Sequence, residues 1–597
     1  MQYFILHGCA KCDRHVYVPA DKRDSCPYVN EDGQVCGAPR YDVHGEPKER
    51  VIYFPLEPKL TALMKCKKYR RMCQHEFFRD RNPTLMTDVY DGAKWEKYMG
   101  PCVYPVERIG LLGCGDGIPA FDNGQHSLKP WMFKNLSLAP GVRSKLKYFI
   151  LWMLLDCSIK PQGQRKYFEW STSFELRKLH YEGVEGMKVK IFSISMDTKG
   201  REEVSGMITC QGYQSCPVCT HALSPPLSRG LVADGFRRFL PVGDPGRQQS
   251  FTHEGEVYEF KNVEVRPIPE NRNTELVSSV CAIATKRRPI LGHKFAPVIC
   301  SWPEFDWERL MTAPELMHDS KNCAENFVRL LVGKTSGDGY EAWGNRDDKH
   351  REQCKTLGIF REVWPENGGP LPWRLTKDQR LLMDRRMSRV SWPHYIDPLY
   401  YRGKSFWRKP GHMWKAARKV RILFFIMPTT LRDQVPKFEK ALLLFAWSMR
   451  RLLGQTYSYD FAKILRILPG SRAVNKQSIP LFGRDLVFSL VLFEGCTPID
   501  HLKPVFHRNV HYPEATGDFS LLDILWMMGF ERYNKHLKNH VRNPKCANIN
   551  MANATVQTDT ANYFDLLLEE DIYELDSEDY HRYVYHIIYI IFIHELN

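Results

Sequence analysis

Two aspartates stand where a strand-borne metal site would put them. Residues 109–114 (IGLLGC) form a short apolar run that leads into Gly115-Asp116-Gly117. Residues 188–196 (KVKIFSISM) alternate apolar and polar at first, then end at Asp197, a strand pattern. Acids at strand ends of one sheet can sit side by side and share divalent cations. Phosphodiester cleavage favours that arrangement, because two Mg2+ ions stabilise the attacking and the leaving oxygens. A third acid usually completes the cage. The pattern alone is common, since Asp-Gly is a frequent turn dipeptide and Asp often ends strands.

A second chemistry is metal ligation by cysteine. Cys9-x2-Cys12-x13-Cys26-x9-Cys36 offers zinc four soft ligands, two of them from one knuckle. The loop of the second pair is long, so the ribbon is expected to be irregular, with His7, His15 and His44 as substitute ligands. The alternative is four unligated thiols in a small reduced domain. Cys216-Pro217-Val218-Cys219, with Cys210 and His221 nearby, is a further metal knuckle without a second CxxC, or else a tight turn with two buried thiols.

Two more acids lie on expected helices. Glu315 and His318 open a helical stretch over 315–332 and share a face at i, i+3. By residue type they read as a first-turn Glu favouring the helix dipole and a partly buried His. Glu531 lies in a stretch where Trp526, Phe530, Tyr533, Leu537 and Val541 make an apolar stripe. There it reads as an i, i+4 partner of Lys535. Lys535, His536, Lys538, His540, Arg542 and Lys545 read as a phosphate-facing surface.

The elements that must position these residues follow from the pattern. An α/β segment starts near Arg108. Residues 145–155 (KLKYFILWMLL) are a buried strand or a helix, and the period does not decide. Residues 207–300 are loop-like. From about 315 to 506 the chain is mainly helical, with amphipathic stretches at 414–427 and 438–453 ended by Pro428 and Gly454. Residues 521–541 form a further helix. The acidic run from Glu569 to Asp579 reads as a solvated tail.

Composition bounds the class. The chain has 597 residues, 43% apolar and 12% aromatic, with 84 Lys plus Arg against 69 Asp plus Glu and a net charge of +15. It is long enough for about three to five core-bearing units and is not a wholly disordered or collagen-like chain. The basic excess points to a polyanionic partner, nucleic acid before anionic membrane. No secretory signal opens it and no apolar run reaches the 18 or so residues of a membrane span. The 18 cysteines are therefore expected to be reduced thiols and metal ligands.

Several of these segments occur in a familiar order. They are the Cys ribbon closing in Cys36-Gly37-Ala38-Pro39-Arg40-Tyr41, then Tyr53-Phe54-Pro55-Leu56 with Pro58-Lys59-Leu60, then Asp91-Gly92-Ala93-Lys94-Trp95. Asp116-Gly117 with Pro119 and Phe121 follows, then Cys216-Pro217-Val218-Cys219 and Phe236-Arg237-Arg238-Phe239-Leu240-Pro241. Met317-His318 with Lys321-Asn322 comes next, and Phe530-Glu531-Arg532-Tyr533 with Leu537-Lys538 and Val541-Arg542-Asn543 closes the series. From about residue 5 to 545 the chain resembles the transposases of CACTA-type (En/Spm) DNA transposons. It departs from them at Phe236, where many relatives carry His, and at Asp319-Ser320, where they carry Ile-Glu.

The resemblance implies a DDE transposase with an α/β, RNase H-like catalytic core, interrupted by a mainly helical insertion and preceded by a zinc-ribbon-like module. It places the catalytic acids at Asp116, Asp197 and Glu531, with Glu325 and Glu315 as rivals for the third. It implies zinc on Cys9, Cys12, Cys26 and Cys36, and again on Cys216, Cys219 and His318, with Mg2+ or Mn2+ on the acids. Lys535, Lys538 and Arg542 would meet DNA. The expected organisation is 1–45 ribbon, 46–105 basic DNA-contacting linker, 106–205 first part of the core and 206–325 knuckle region. Then come 326–510 helical insertion, 511–550 final catalytic helix and 551–597 acidic tail. The expected function is Mg2+-dependent strand cleavage and strand transfer at transposon ends in the nucleus. The alternative is a domesticated, non-catalytic DNA-binding protein. Expected partners are double-stranded DNA (terminal repeats and target), further copies of the chain and, optionally, a second element-encoded DNA-binding protein, with no membrane.

Overall fold

A computed structural model describes residues 2–119, 127–208, 212–223, 231–260, 265, 267–332, 373–389, 407, 423–424, 427–454, 473–497, 501–541 and 547–574. The architecture is mixed α/β: a mixed sheet and a helical C-terminal region. The strands are β1 (Phe4–Gly8), β2 (Val16–Tyr17), β3 (Arg50–Tyr53), β4 (Leu85–Met86), β5 (Arg108–Gly115), β6 (Ile118–Pro119), β7 (Ser127–Asn135), β8 (Phe149–Asp156) and β9 (Lys188–Ile194). The main sheet runs β2-β1-β3-β8-β7-β5-β9, with β6 on β7. β5, β7 and β8 form an antiparallel meander, and β9 returns parallel to β5. A parallel return needs a crossover, here the helical segment from Pro161 to Tyr181.

β5 and β8 are buried on both faces, so their interiors read as near-continuous apolar runs. In β5, Ile109 and Leu111 enter one core with Trp131, Trp152 and the crossover's Tyr167 and Phe168. Leu112 and Cys114 enter the other, with Met132, Leu151 and the C-terminal helices. Residues 145–155 resolve into a 3-10 turn, Leu146–Tyr148, followed by β8.

Strands from both 1–45 and 46–105 join one sheet. β1 pairs with β3, and β3 with β8, so both segments extend the main sheet. Lys166, fully buried, donates to the Cys9 carbonyl at 2.9 Å and pairs with Glu49 at 2.7 Å. Val51, Ile52 and Tyr53 are all buried, Val51 and Tyr53 in one core and Ile52 in the other, which a solvated linker would leave in water.

The helical region is built on Leu316–Val332, Pro436–Leu452 and Ile479–Cys496. Phe327 meets Phe445, Phe493 and Phe506 with ring centroids 5.2–5.4 Å apart. The stretch 414–426 lies outside the described residues apart from Leu423 and Phe424, which are buried. Met427–Thr430 forms a short helix through Pro428. Residues 207–300 carry, besides loops, a hairpin (Ser250–His253, Glu256–Glu259) and the helix Thr274–Ile283.

Two expectations change at the C-terminal end. The helix over 521–541 begins only at Met528, after a 3-10 turn Leu522–Leu525. Lys134 and Ser195 donate to the carbonyls of Ile524 and Leu525, which draws them away from helix bonding. The tail is not wholly solvated: a helix spans Ala547–Glu574, with Met551, Ala552 and Leu566 buried. Its Asp559 pairs with Lys59 at 2.5 Å, both side chains about nine-tenths buried. Residues 575–597 lie outside the described residues. Among the described residues no helix is long and apolar enough to cross a membrane.

Candidate functional site

β5 and β9 carry the two aspartates to one place. Their parallel register pairs Gly113 with Ile194, so Asp116 and Asp197 each follow a paired residue by three positions. Asp197 caps the helix Thr198–Ser205, its Oδ1 accepting from Gly200 N at 2.6 Å. A Cβ on Gly200 would lie 3.1 Å from Asp197 Oδ1 and 3.2 Å from the Gly115 carbonyl oxygen. A larger residue there would push on both strand ends.

Glu531 arrives on the helix Met528–Asn539. Its apolar side holds Phe530, Tyr533 and Leu537, all buried. Phe149 at the start of β8 stacks on Tyr533 at 5.6 Å and meets Phe530 edge-on at 5.3 Å. Gly529 lets Phe149 approach, since a Cβ there would stand 2.8 Å from Cζ of that ring. This docking leaves Glu531 half-buried beside the strand ends.

Glu315, expected as a simple first-turn acid, is a buried junction. Its Oε2 accepts from His318 N at 2.6 Å and lies 2.7 Å from His318 Nδ1. Its Oε1 accepts from Met317 N at 3.1 Å and from Met527 N at 3.4 Å. One carboxylate thus caps the helix Leu316–Val332 and holds the residue that precedes the Glu531 helix. Glu325 lies on the same helix and pairs with Arg329 at 3.6 Å.

The charges confirm a shared field. Burial, then the charges of Glu531 and Asp197, push the Asp116 carboxyl up to about 7. Burial, then Glu315 and Asp197, also raise Glu531, with His318 opposing. Burial and the surrounding Asp116, Glu531, Glu315 and Asp197 push the Cys114 thiol far up. Burial alone would lower His318, but the Glu315 hydrogen bond and the charges of Glu315, Asp197 and Glu531 hold it up at about 9. His318 is therefore an imidazolium at neutral pH set among carboxylates.

Two other clusters fit metal ions. Among the described residues, two groups bring four ligand atoms within 4.8 Å of one another: Cys9, Cys12, Cys26 and Cys36; and Cys216, Cys219, His507 and His511. A tetrahedral zinc with bonds of about 2.3 Å to sulfur and about 2.0 Å to nitrogen spaces its ligands roughly 3.3–3.8 Å apart. In the first group Cys9 and Cys36 are 3.8 Å apart, and Cys12 and Cys26 are 3.6 Å apart. In the second, Cys216–His511 is 3.5 Å, Cys219–His507 is 3.3 Å and His507–His511 is 3.4 Å. Both sets suit zinc.

The histidines expected near these sites sit elsewhere. His7 accepts from Arg40 Nε at 2.9 Å, His15 lies 3.4 Å from Asp21, and His44 is exposed. His318 does not join Cys216 and Cys219: its Nδ1 is taken by Glu315, and the knuckle is completed by His507 and His511 instead. Phe236 is buried apolar core and the four-ligand set needs nothing from it. His221 stacks on His507 at 4.3 Å, and Cys210 lies outside the described residues. The knuckle is braced by Arg272, donating to the carbonyls of Cys216 and Cys219 at 2.8 and 3.1 Å, and by Trp307 donating to Pro217 at 2.9 Å. The signal for the missed pair was His507-x3-His511, an i, i+4 spacing that runs from the helix Pro504–Asn509 to the N-cap of the helix Tyr512–Phe519, 288 residues beyond Cys219.

Of the expected DNA contacts, Lys535 is exposed and Lys538 half-buried on the Glu531 helix, while Arg542 lies outside the described residues. No protein-family model matches the chain, and no curated protein matches it.

Proposed function

We propose that the chain is a DDE transposase of the CACTA type, cutting DNA at transposon ends and joining the ends to target DNA. The observation that carries this reading is the juxtaposition of Asp116 and Asp197 at equal register, with Glu531 in the same field. The order β8-β7-β5-β9, three antiparallel strands and one parallel return, supports an RNase H-like core. The helices between Leu316 and Cys496 then form the insertion that separates the second acid from the third.

Asp116, Asp197 and Glu531 would hold two Mg2+ or Mn2+ ions, whose hard oxygen preference suits three carboxylates. Bound there, the ions supply activation of water or a 3′-hydroxyl and charge neutralisation at the leaving 3′-oxygen. The protein's part is positional. Asp197 spends one oxygen on Gly200 N and keeps the other for a cation. Glu315 sets the start of the Glu531 helix. His318 offsets part of the carboxylate charge before any cation arrives. Zinc at the two Cys-containing sets is structural in this reading. The basic excess supplies salt-dependent contacts to duplex DNA, and paired transposon ends call for at least two copies of the chain, acting in the nucleus.

The test is cleavage and strand transfer on duplex oligonucleotides carrying the terminal sequence of the element, with and without Mg2+. Asp116→Asn, Asp197→Asn and Glu531→Gln are each expected to lose roughly three orders of magnitude of rate or more. DNA binding with no Mg2+-dependent cleavage would instead favour a non-catalytic, domesticated protein.

A further inference from the structure

Three aromatic side chains stand in water on the N-terminal helical layer: Phe77 (44% exposed), Phe78 (50%) and Tyr104 (54%). Each touches the other two, with centroids 5.3 Å apart for Phe77–Phe78, 4.9 Å for Phe77–Tyr104 and 5.6 Å for Phe78–Tyr104. Soluble proteins seldom group large rings at the surface without use.

This group is held rigid from behind. The Gln74 side chain donates to the Val106 carbonyl at 2.8 Å and accepts from Val106 N at 2.6 Å. That paired bond pins the loop carrying Tyr104 to the helix His75–Phe78. Arg108 donates to the Gly100 carbonyl at 2.9 Å, fixing the other end of the loop. Arg79, next to Phe78, is locked onto Asp91 and Thr87. The rings are therefore presented, not merely left over.

The rim is cationic. The Arg71 guanidinium lies 5.2 Å over the Phe78 ring. Lys67, Arg70 and Arg71 on the helix Lys67–Met72 are exposed, and Arg81 is exposed on the other side, near Glu76 at 3.7 Å. Asp80 and Glu107 are the exposed acids close by in sequence, and they do not outnumber the cations. An apolar protein partner would want ring edges without a fence of guanidinium groups. A duplex would use the cations and ignore the rings, because its bases are stacked inside.

We propose that Phe77, Phe78 and Tyr104 form a stacking platform for the unpaired bases of a DNA strand, with Arg71 on its phosphates. Aromatic faces accept any base, and the cations track the backbone. The platform uses no residue of the acidic cluster, so it stands or falls apart from the cleavage reading.

The experiment is fluorescence anisotropy of the zinc-loaded full chain with labelled oligothymidylate and with a duplex of the same charge. Phe77→Ala with Phe78→Ala is expected to weaken single-strand binding by about tenfold or more and to leave duplex binding within about twofold. Phe77→Tyr with Phe78→Tyr, which keeps the rings, is expected to retain the affinity. Arg71→Ala is expected to flatten the salt dependence of single-strand binding. These positions are solvent-exposed, and circular dichroism with a thermal melt checks the fold of each variant. Equal losses on single strand and duplex, or no loss on the single strand, would overturn the platform.

Discussion

The carboxylate of Glu315 accepts a hydrogen bond from Met527 N at 3.4 Å, across 212 residues of chain. Through it the first turn of one helix and the approach to another share one buried anion. That anion also holds His318, so the helix start, the imidazolium and the approach to the Glu531 helix are set by one side chain.

Glu315→Ala is expected to destabilise the fold by about 2–4 kcal/mol, because four donors lose one acceptor group in a dry site. Glu315→Gln keeps one carbonyl oxygen and should fall between. Urea unfolding read by tryptophan fluorescence measures both. A loss under about 0.5 kcal/mol for the Ala variant would show that the junction is not structural.

The acidic cluster gives stability a pH dependence of one sign. Asp116 is raised from 3.8 to about 7. The folded state therefore holds a proton there that the unfolded state has lost, and stability falls as pH rises from about 4 to about 7. Asp116→Asn without added metal is expected to be more stable than the parent chain above pH 7, by about 1–3 kcal/mol, with the gain vanishing near pH 4. Thermal melts across pH 4–8 test it, and a constant offset would count against the coupling.

His318 acts on a higher window. It is raised from 6.5 to about 9, so its contribution is whole below pH 6.5 and is lost as pH climbs through 9. His318→Gln is expected to lower stability at pH 6 and to remove the decline between pH 6.5 and 9. Melts of the two proteins that stay parallel over that range would refute this.

Two four-ligand groups predict two zinc ions per chain by elemental analysis. Cys12→Ser should cost one ion and His507→Ala the other, each independently of its counterpart. The His507 change should lower the melting temperature more, since that site joins the segment around Cys216 to the helix Pro504–Asn509. Retention of both ions in His507→Ala would show that the second group is not a zinc site.

Asp559→Ala is expected to cost about 3 kcal/mol, because it strands the buried ammonium of Lys59. Lys59→Met with Asp559→Leu should recover most of that loss by replacing the pair with apolar contact. Denaturant titration of the single and double variants separates the two.

The local pattern determined much of this protein. The apolar run leading to Asp116 and the alternating stretch ending at Asp197 marked two strands, because a sheet buries short apolar runs and period-two faces. The stripe Phe530, Tyr533, Leu537 marked the docked side of the Glu531 helix, because a helix buries residues spaced by three and four. The spacing of the four N-terminal cysteines offered a metal site, since the Cys9–Cys12 knuckle is a local turn, and the fold brings all four together. Tertiary structure decided the rest. Residues 50–53 joined the main sheet because strand pairing depends on partners far along the chain. His318 went to Glu315 and not to the knuckle, and His507 and His511 took its place, because ligand sets are chosen by proximity in space. Glu315 became a junction, and Glu531 a neighbour of Asp116, only when long-range packing brought charges separated by hundreds of residues into one poorly solvated site.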